Sequence, residues 1–474
     1  MVLASTDGSR HPHNDWPVNA IFEPRSVAVY GASRDERKLG HTLLRNVLAG
    51  GFHGRVIAVN PAGGEILGVR ATPTLEEAVD LALISVPAAR AGAAVADAAQ
   101  AGCRAAIVLA SGFGETGSQG KDVEVGLAEI ARAASMRLVG PNCMGVVSRH
   151  RDGWLNGSYF WRLPDTPRRT GPVSTPAGAP RDAGTISMLS QSGAFGGMFF
   201  AEARRRRLRV ARFLSVGNSV DVTEIDALDW LASDPATAVI ALFAESFRDG
   251  LHFVAAAERC RKPIVVLKAG KGSAGARAAA SHTGSLAGRH GAVQAAFARA
   301  GVIEAATSDE FFDIVHSLGA SPSAPGRDVA VLTISGGPGV LASDAAEQLG
   351  LRLPPPGEET VRRIRRLAPH FAAVGNPIDL TPQCPPASFP AAIQAVFDDP
   401  AYQGVIVINC GLDVPEFGQG VVAAHRRTGK LVTAFVLDVP RIEVELAEAG
   451  IPLLSSPERA VAAYAAAAGS LPRR

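Results

Sequence analysis

Short apolar runs broken by glycine or proline recur along the whole chain, and amphipathic stretches fall between them. Runs of four to eight residues rich in Val, Ile and Leu with abrupt polar ends read as strands buried on both faces. Such runs occupy Ser26–Tyr30, Arg55–Val59 and residues 81–86, 105–109, 185–190, 238–243, 263–267, 329–334, 404–409, 431–437 and, more weakly, 451–454. Between them, Leu43, Leu44, Val47 and Leu48 recur at helical spacing after Gly40. Met198, Phe199 and Phe200 mark a second helix, and residues 308–317 and 340–349 two more. Strand and helix alternating in this way predict an α/β protein made of doubly wound parallel sheets, whose sites lie at the carboxyl ends of the strands.

The breaks divide the chain. A polar arm covers residues 1–20, a first α/β unit 21–150, a Pro- and Gly-rich linker or loop 151–184, a second unit 185–322 and a third 323–474. A chain of 474 residues suits about three domains. With 47 basic and 45 acidic side chains the net charge is +2, which excludes a global field for nucleic acid or an anionic membrane, so any anion site is local. The N-terminal arm has no apolar segment of the signal-peptide kind, and no apolar run approaches the roughly 20 residues that span a bilayer. Five cysteines without CxxC spacing point to neither disulfides nor a zinc site, so a reducing cytoplasm is the expected compartment. The run Arg204 to Arg207 reads as a solvated helix face.

Candidate chemistry sits in the breaks. The loop GASRDERKLG (31–40) follows the first strand, where the start of a helix favours phosphate. An NAD site fits poorly: the loop is longer than GxGxxG, and the second strand ends in Asn60 instead of an acid that would accept from a ribose hydroxyl. Arg34, Arg37 and Lys38 read equally well as phosphate partners and as a solvated loop. In SQSGAFGG, Ser192 and Gly193 open a helix and offer an anion pocket, a reading compatible with a plain serine cap. In SHTGSLAG (281–288), His282 is followed by a small hydroxyl residue and Gly284, which lets an imidazole approach a phosphoryl group. Taken alone, such a histidine also suits a helix cap or a turn. Cys143 has no adjoining His, Lys or Arg to lower its pKa and is not expected to be a nucleophile.

The phrase KAGKGSAGARAAASHTGSLAG resembles the phosphohistidine loop of the NDP-forming acyl-CoA synthetases, the superfamily that contains succinyl-CoA synthetase and ADP-forming acetyl-CoA synthetase. In the first unit GAS…G, VNPAGGEILG, ISVP, SGFGE and VGPNCMG stand in the order of that superfamily's CoA-binding domain. The resemblance implies a Rossmann-like CoA-binding domain followed by two flavodoxin-like domains. By it, Gly31, Ala32 and Ser33 line the CoA phosphates with Arg34 and Lys38 beside them. Asn60 and Pro61 meet the nucleotide end, Val86 and Pro87 the pantetheine, and Asn142 and Cys143 lie where the thiol reacts. Ser192, Gly193 and Gly284 bind the phosphate carried by His282, and Glu245, in LFAESFRDG, orients that imidazole. VGNSVD (216–221) resembles the family's GN turn but has Ser219 and Val220 where Lys-Ala is common.

The reaction the resemblance implies is acid, CoA and ATP giving acyl-CoA, ADP and phosphate, through an acyl phosphate and phosphohistidine. Neither an ATP-grasp unit nor a GxxxxGK[ST] loop is found, so the chain resembles an alpha subunit. The expected partner is a beta-type ATP-grasp subunit that holds ATP or ADP and Mg2+. A small carboxylic acid is the expected substrate and an oligomer the expected assembly. The alternative is a non-catalytic CoA- or acyl-CoA-binding regulatory module on the same fold.

Overall fold

The structure, a computed structural model, describes residues 18–150, 153–160, 162–164, 186–277, 290–320 and 325–469. Its first sheet contains β1 (Ser26–Tyr30), β2 (Arg55–Val59), β3 (Gly64–Ile66), β4 (Val69–Thr72), β5 (Leu81–Ile84), β6 (Ala105–Val108) and β7 (Arg137–Val139), ordered β3-β4-β2-β1-β5-β6-β7. Pairing is parallel except in the β3–β4 hairpin. The second sheet contains β8 (Gly145–Arg149), β9 (Trp154–Ser158), β10 (Ile186–Ser190), β11 (Val210–Ser215), β12 (Val239–Ala244), β13 (Ile264–Lys268) and β14 (Ile303–Ala305), ordered β14-β13-β12-β10-β11-β8-β9. There β8 runs antiparallel to both β11 and β9. The third contains β15 (Val329–Thr333), β16 (Ala373–Val374), β17 (Ile378–Asp379), β18 (Gly404–Cys410) and β19 (Leu431–Leu437), ordered β16-β17-β15-β18-β19.

Each sheet winds outward in both directions from one strand: β1, β10 and β15. At such a reversal the loops leave in opposite directions and open a crevice beyond the strand's carboxyl end. The residues that follow are Gly31, Gln191 with Ser192, and, after Ile334, Ser335 with Gly336. Strands β10 and β15 are buried along their full length, as helices on both faces require. One apolar cluster runs from Val27 and Leu43 through Leu228 to Val266 and joins the first two units. A second, from Phe199 and Phe312 to Val331 and Tyr464, joins the second to the third.

Two expectations are corrected here. The tract 151–184 contains strand β9, which pairs with β8 and rests on the helix Leu39–Ala49, where Asn46 Nδ2 donates to the Ser158 carbonyl (2.9 Å). Only five residues long and interrupted by Asn156 and Gly157, it lacks the apolar run that marks a strand in sequence. The arginine run is not wholly solvated. Arg206 is buried, paired with Glu202 (2.8 Å) and Asp313 (2.6 Å), and Arg459 reaches the other Asp313 oxygen. This ties the second unit to the helix Pro457–Gly469. Burial, then Arg206 and Arg205, push the neighbouring His316 down to about 3, so it stays neutral. Among the described residues no helix is long and apolar enough to cross a membrane, and no group of three or more His, Cys, Asp or Glu is placed to hold a metal ion.

The first and second units are locked by a buried guanidinium. Arg137 on β7 donates to Asp221 (3.0 Å) and Asp226 (3.0 Å), and Asp221 also accepts from the Leu138 N–H (2.8 Å). Asp226 in turn closes a capping box with Thr223 at the start of the helix Glu224–Ser233. Removing the cation from between two carboxylates leaves charge buried without a partner. Arg137→Met is therefore expected to lower unfolding free energy by about 3–5 kcal/mol, read as a lower urea midpoint; a loss below about 1 kcal/mol would count against the clamp.

Candidate active site

The first crevice is shaped by main chain. Gly31 has φ +80, and a Cβ there would collide with the Ser85 carbonyl oxygen; one on Gly40 would collide with the Gly31 carbonyl oxygen. Two glycines thus let the loop 31–40 lie flat against the end of β5 and the start of the helix Leu39–Ala49. Asn60 holds the far side: its Nδ2 donates to the Ala32 carbonyl (2.6 Å) and its Oδ1 accepts from the Ala62 N–H (2.8 Å). An acid could not make the first of these bonds. Ala32 and Ser33 are buried, and the Ser33 hydroxyl accepts from the Asp35 N–H (3.0 Å). Arg34 and Lys38 are exposed on the rim, with Arg34 donating to the Gly63 carbonyl (2.8 Å) and Arg37 paired to Asp35. Pro61 and Pro87 are also exposed, and Val86 packs over Gly31.

The second crevice meets the first at one turn. Gly217 has φ +56, and a Cβ there would strike the Pro141 carbonyl oxygen, so the turn after β11 lies directly on the loop carrying Asn142 and Cys143. Asn218 N–H donates to the Pro141 carbonyl (2.9 Å), and its side chain accepts from Asn142 (3.2 Å) while donating to Glu115 (2.8 Å) and Glu124 (2.5 Å). Burial opposes ionisation of Glu115, but the Gly112 N–H and the Asn218 amide outweigh it and hold the carboxyl below the usual range. Cys143 is buried, with its thiol directed at the Val108 carbonyl. The departure at Ser219 and Val220 leaves this docking intact.

Ser192 caps the helix Gly193–Arg205, its hydroxyl accepting from the Phe195 N–H (3.3 Å). Gly193 abuts Met144: a Cβ on it would lie 2.5 Å from the Met144 Cγ. Beside Ser192, Gln191 accepts from the N–H groups of Glu245 (2.7 Å) and Ser246 (3.1 Å) and donates to the Ser246 carbonyl (2.8 Å). One amide therefore pins Glu245, itself buried, to the serine helix start. Beneath it, burial holds the Glu224 carboxyl above its usual range despite Gln191 and Arg248. Lys268, at the end of β13, donates to the Glu245 carbonyl (2.7 Å). Burial lowers its pKa against the pull of Glu245 and Glu304, and a cavity of about 320 Å³ walled by Phe247, Phe253, Val293 and Phe297 supplies that apolar surround.

His282 and Gly284 lie outside the described residues. Of the other expected positions, the structure brings Asn142, Cys143, Ser192, Gly193 and Glu245 to the junction of the first two units, while Gly31 to Ser33, Asn60 and Val86 gather at the end of β1. Asn376 is a turn residue whose amide serves the edge of β15, and Asp379 accepts from the Thr381 N–H. Sequence reasoning missed Gln191, Glu224, Arg248 and Lys268. A glutamine between two serines after a strand is the one local signal available, and the others depend on partners distant in the chain.

Family models match three stretches: one described as a CoA binding domain over residues 25–149, a succinyl-CoA ligase like flavodoxin domain over 183–318 and a ligase-CoA domain over 329–414. The alpha subunit of ADP-forming acetate–CoA ligase I from Pyrococcus furiosus is 34% identical, covering 95% of this chain and 96% of its own. ADP-forming acetate–CoA ligase I of Archaeoglobus fulgidus is 36% identical over 94% of this chain and 62% of its own length. Among solved structures, dinucleotide-forming acetyl-coenzyme A synthetase 1 of Ca. Korarchaeum cryptofilum, in complex with phosphate and ADP, superposes with a TM-score of 0.87 at 32% identity, covering 96% of this chain and 97% of that one. With the three matched domains in register with the three sheets and a relative matched almost from end to end, the chain belongs to the NDP-forming acyl-CoA synthetase superfamily, as an acid–CoA ligase of the alpha-subunit type.

Proposed function

We propose that this chain forms acyl-CoA from a carboxylic acid through an acyl phosphate, with His282 as the residue that carries the phosphoryl group. The observation that carries the reading is the Gln191 amide, which makes the serine helix start and Glu245 one site. A carboxylate is a poor electrophile. Its oxygen attacks phosphorus on phosphohistidine, the N–P bond breaks, and the acid becomes an acyl phosphate with a good leaving group. The thiol of CoA then attacks the acyl carbon, the C–O bond to phosphate breaks, and phosphate leaves with the thiol proton. Ser192 and the amides that start its helix favour the phosphate in both steps. Glu245 accepts from one imidazole nitrogen and leaves the other to meet phosphorus.

The end of β1 fits CoA. Gly31 and Gly40 clear the space a Cβ would fill, the helix start favours phosphate, and Arg34 and Lys38 stand on the rim. CoA supplies the thiol, and Val86 and Pro87 lie on its expected course toward Asn142. Cys143 takes no covalent part: burial pushes its thiol up to about 12, which keeps it protonated at neutral pH. ATP or ADP, with Mg2+, belongs to a beta-type ATP-grasp partner in this reading. Its support is the alpha-subunit name of the Pyrococcus furiosus relative. The compartment is cytoplasmic in the same reading, and the proposed domain limits are 21–150, 185–322 and 323–474, except that β8 and β9, although they precede residue 185, pair into the second sheet.

Three outcomes test this. Incubation with acetyl-CoA and radiolabelled phosphate is expected to leave an acid-labile, base-stable label on the wild-type chain, lost in His282→Ala and reduced about tenfold or more in Glu245→Gln. Label of equal strength in His282→Ala would sink the assignment. Asn60→Asp should raise the CoA Kd about tenfold, because it leaves the Ala32 carbonyl unpaired and sets a carboxylate beside phosphate. Titration calorimetry reads this, and unchanged affinity would move CoA away from Asn60. In the folded protein Cys143 should resist iodoacetamide at about pH 8; its rapid modification, seen by peptide mass spectrometry, would contradict the buried thiol.

A further inference from the structure

We infer that Arg248 is a positioning residue that couples the phosphoryl site to the thiol site, and so governs the thioester-forming step without touching phosphoryl transfer to His282. The inference rests on the acyl phosphate reading above. Arg248 lies three residues after Glu245, on the loop that Gln191 pins to the serine helix start. From there its guanidinium crosses to the turn after β11: Nη1 donates to the Ser219 carbonyl (3.0 Å) and Nη2 to the Asn218 carbonyl (2.6 Å). That turn is the one that lies on the Pro141–Asn142 main chain, with the Asn142 amide donating to Asn218. A path thus runs along the short loop from Glu245 to Arg248 and then by hydrogen bonds through Asn218 to Asn142.

The geometry has a chemical consequence. Phosphoryl transfer between an acyl phosphate and His282 needs the Ser192 and Glu245 side alone. Attack of the CoA thiol on the acyl carbon needs a nucleophile presented by the first unit to meet an electrophile held by the second, and misplacement by about 1 Å costs such a step up to about a hundredfold. Two carbonyls accepting from one planar guanidinium fix distance and angle together, which a flexible ammonium does less well. Arg248 is exposed and makes no part of an apolar core, so its truncation should leave the fold standing.

Two partial reactions of the full chain separate these roles, using acetyl and benzoyl phosphate as probes. In the first, a ³²P-labelled acyl phosphate labels His282 without CoA. In the second, the acyl phosphate and CoA give acyl-CoA and phosphate: the C–S bond forms, the C–O bond breaks and the thiol proton leaves with phosphate. Arg248→Ala is expected to label within about twofold of wild type and to form acyl-CoA about tenfold or more slowly at saturating CoA. Its melting temperature should be unchanged. Arg248→Lys, which keeps the charge and reaches one carbonyl, should recover part of the rate and serves in its place if the alanine variant unfolds. Equal loss in both reactions, or loss in neither, would overturn the inference. A wild-type chain silent in both would overturn the acyl phosphate reading itself and this inference with it.

Discussion

The close approach of two main chains, the turn 216–222 and the loop 138–143, is the contact on which the rest of this structure depends. It forms because Gly217 has no side chain to separate them, and it stays in register because Arg137 fixes Asp221 and Asp226 from within the first unit. A buried guanidinium between two carboxylates adds little net stability when whole and is severely destabilising when broken, so its contribution is chiefly one of alignment. Two parallel sheets could pack through apolar faces in many orientations. The ion triad and the glycine contact leave one in which the loops after β7 and β11 meet, with Met144 of the first against Gly193 at the end of β10.

At that junction polar side chains mostly serve other main chains. Asn60 ties the loops after β1 and β2, Gln191 gives both ends of its amide to the loop at Glu245 and Ser246, and Asn218 bonds the side chains of Asn142, Glu115 and Glu124; an amide is the side-chain group that donates and accepts at once. The outcome is a set of loops held without regular secondary structure yet without loose ends, as preorganised chemistry needs. Apolar packing around Lys268 and Cys143 then sets their protonation: one loses affinity for its proton, the other keeps it.

Much of the fold was legible in the sequence because strands buried on both faces leave continuous apolar runs that polar loops bound abruptly. Strands β1, β2 and β19 match their expected limits, and most of the others fall within two residues. Strands β3, β4, β7, β8, β9, β11 and β14 were not legible, being short or interrupted by Arg, Asn or Gly. The CoA-type loop and the Ser192 helix start stood out as glycine and serine directly after a strand, and Glu245 through the family resemblance of LFAESFRDG. Arg206 did not: its neighbours Arg204, Arg205 and Arg207 suggest a wet face, and the Asp313 that draws it inward lies 107 residues away.

The sequence by itself determined the alternation of strand and helix, the places where the chain turns sharply, and the residue types at the ends of β1, β10 and β12, because these follow from local sterics and from periodicity. Only the tertiary structure decided that Gln191, Asn218, Arg248 and Arg137 join those ends. Each acts through a partner whose nearness is a property of how strands and sheets are brought together, and hydrogen bonds between residues 29 to 103 positions apart leave no trace in the spacing of either.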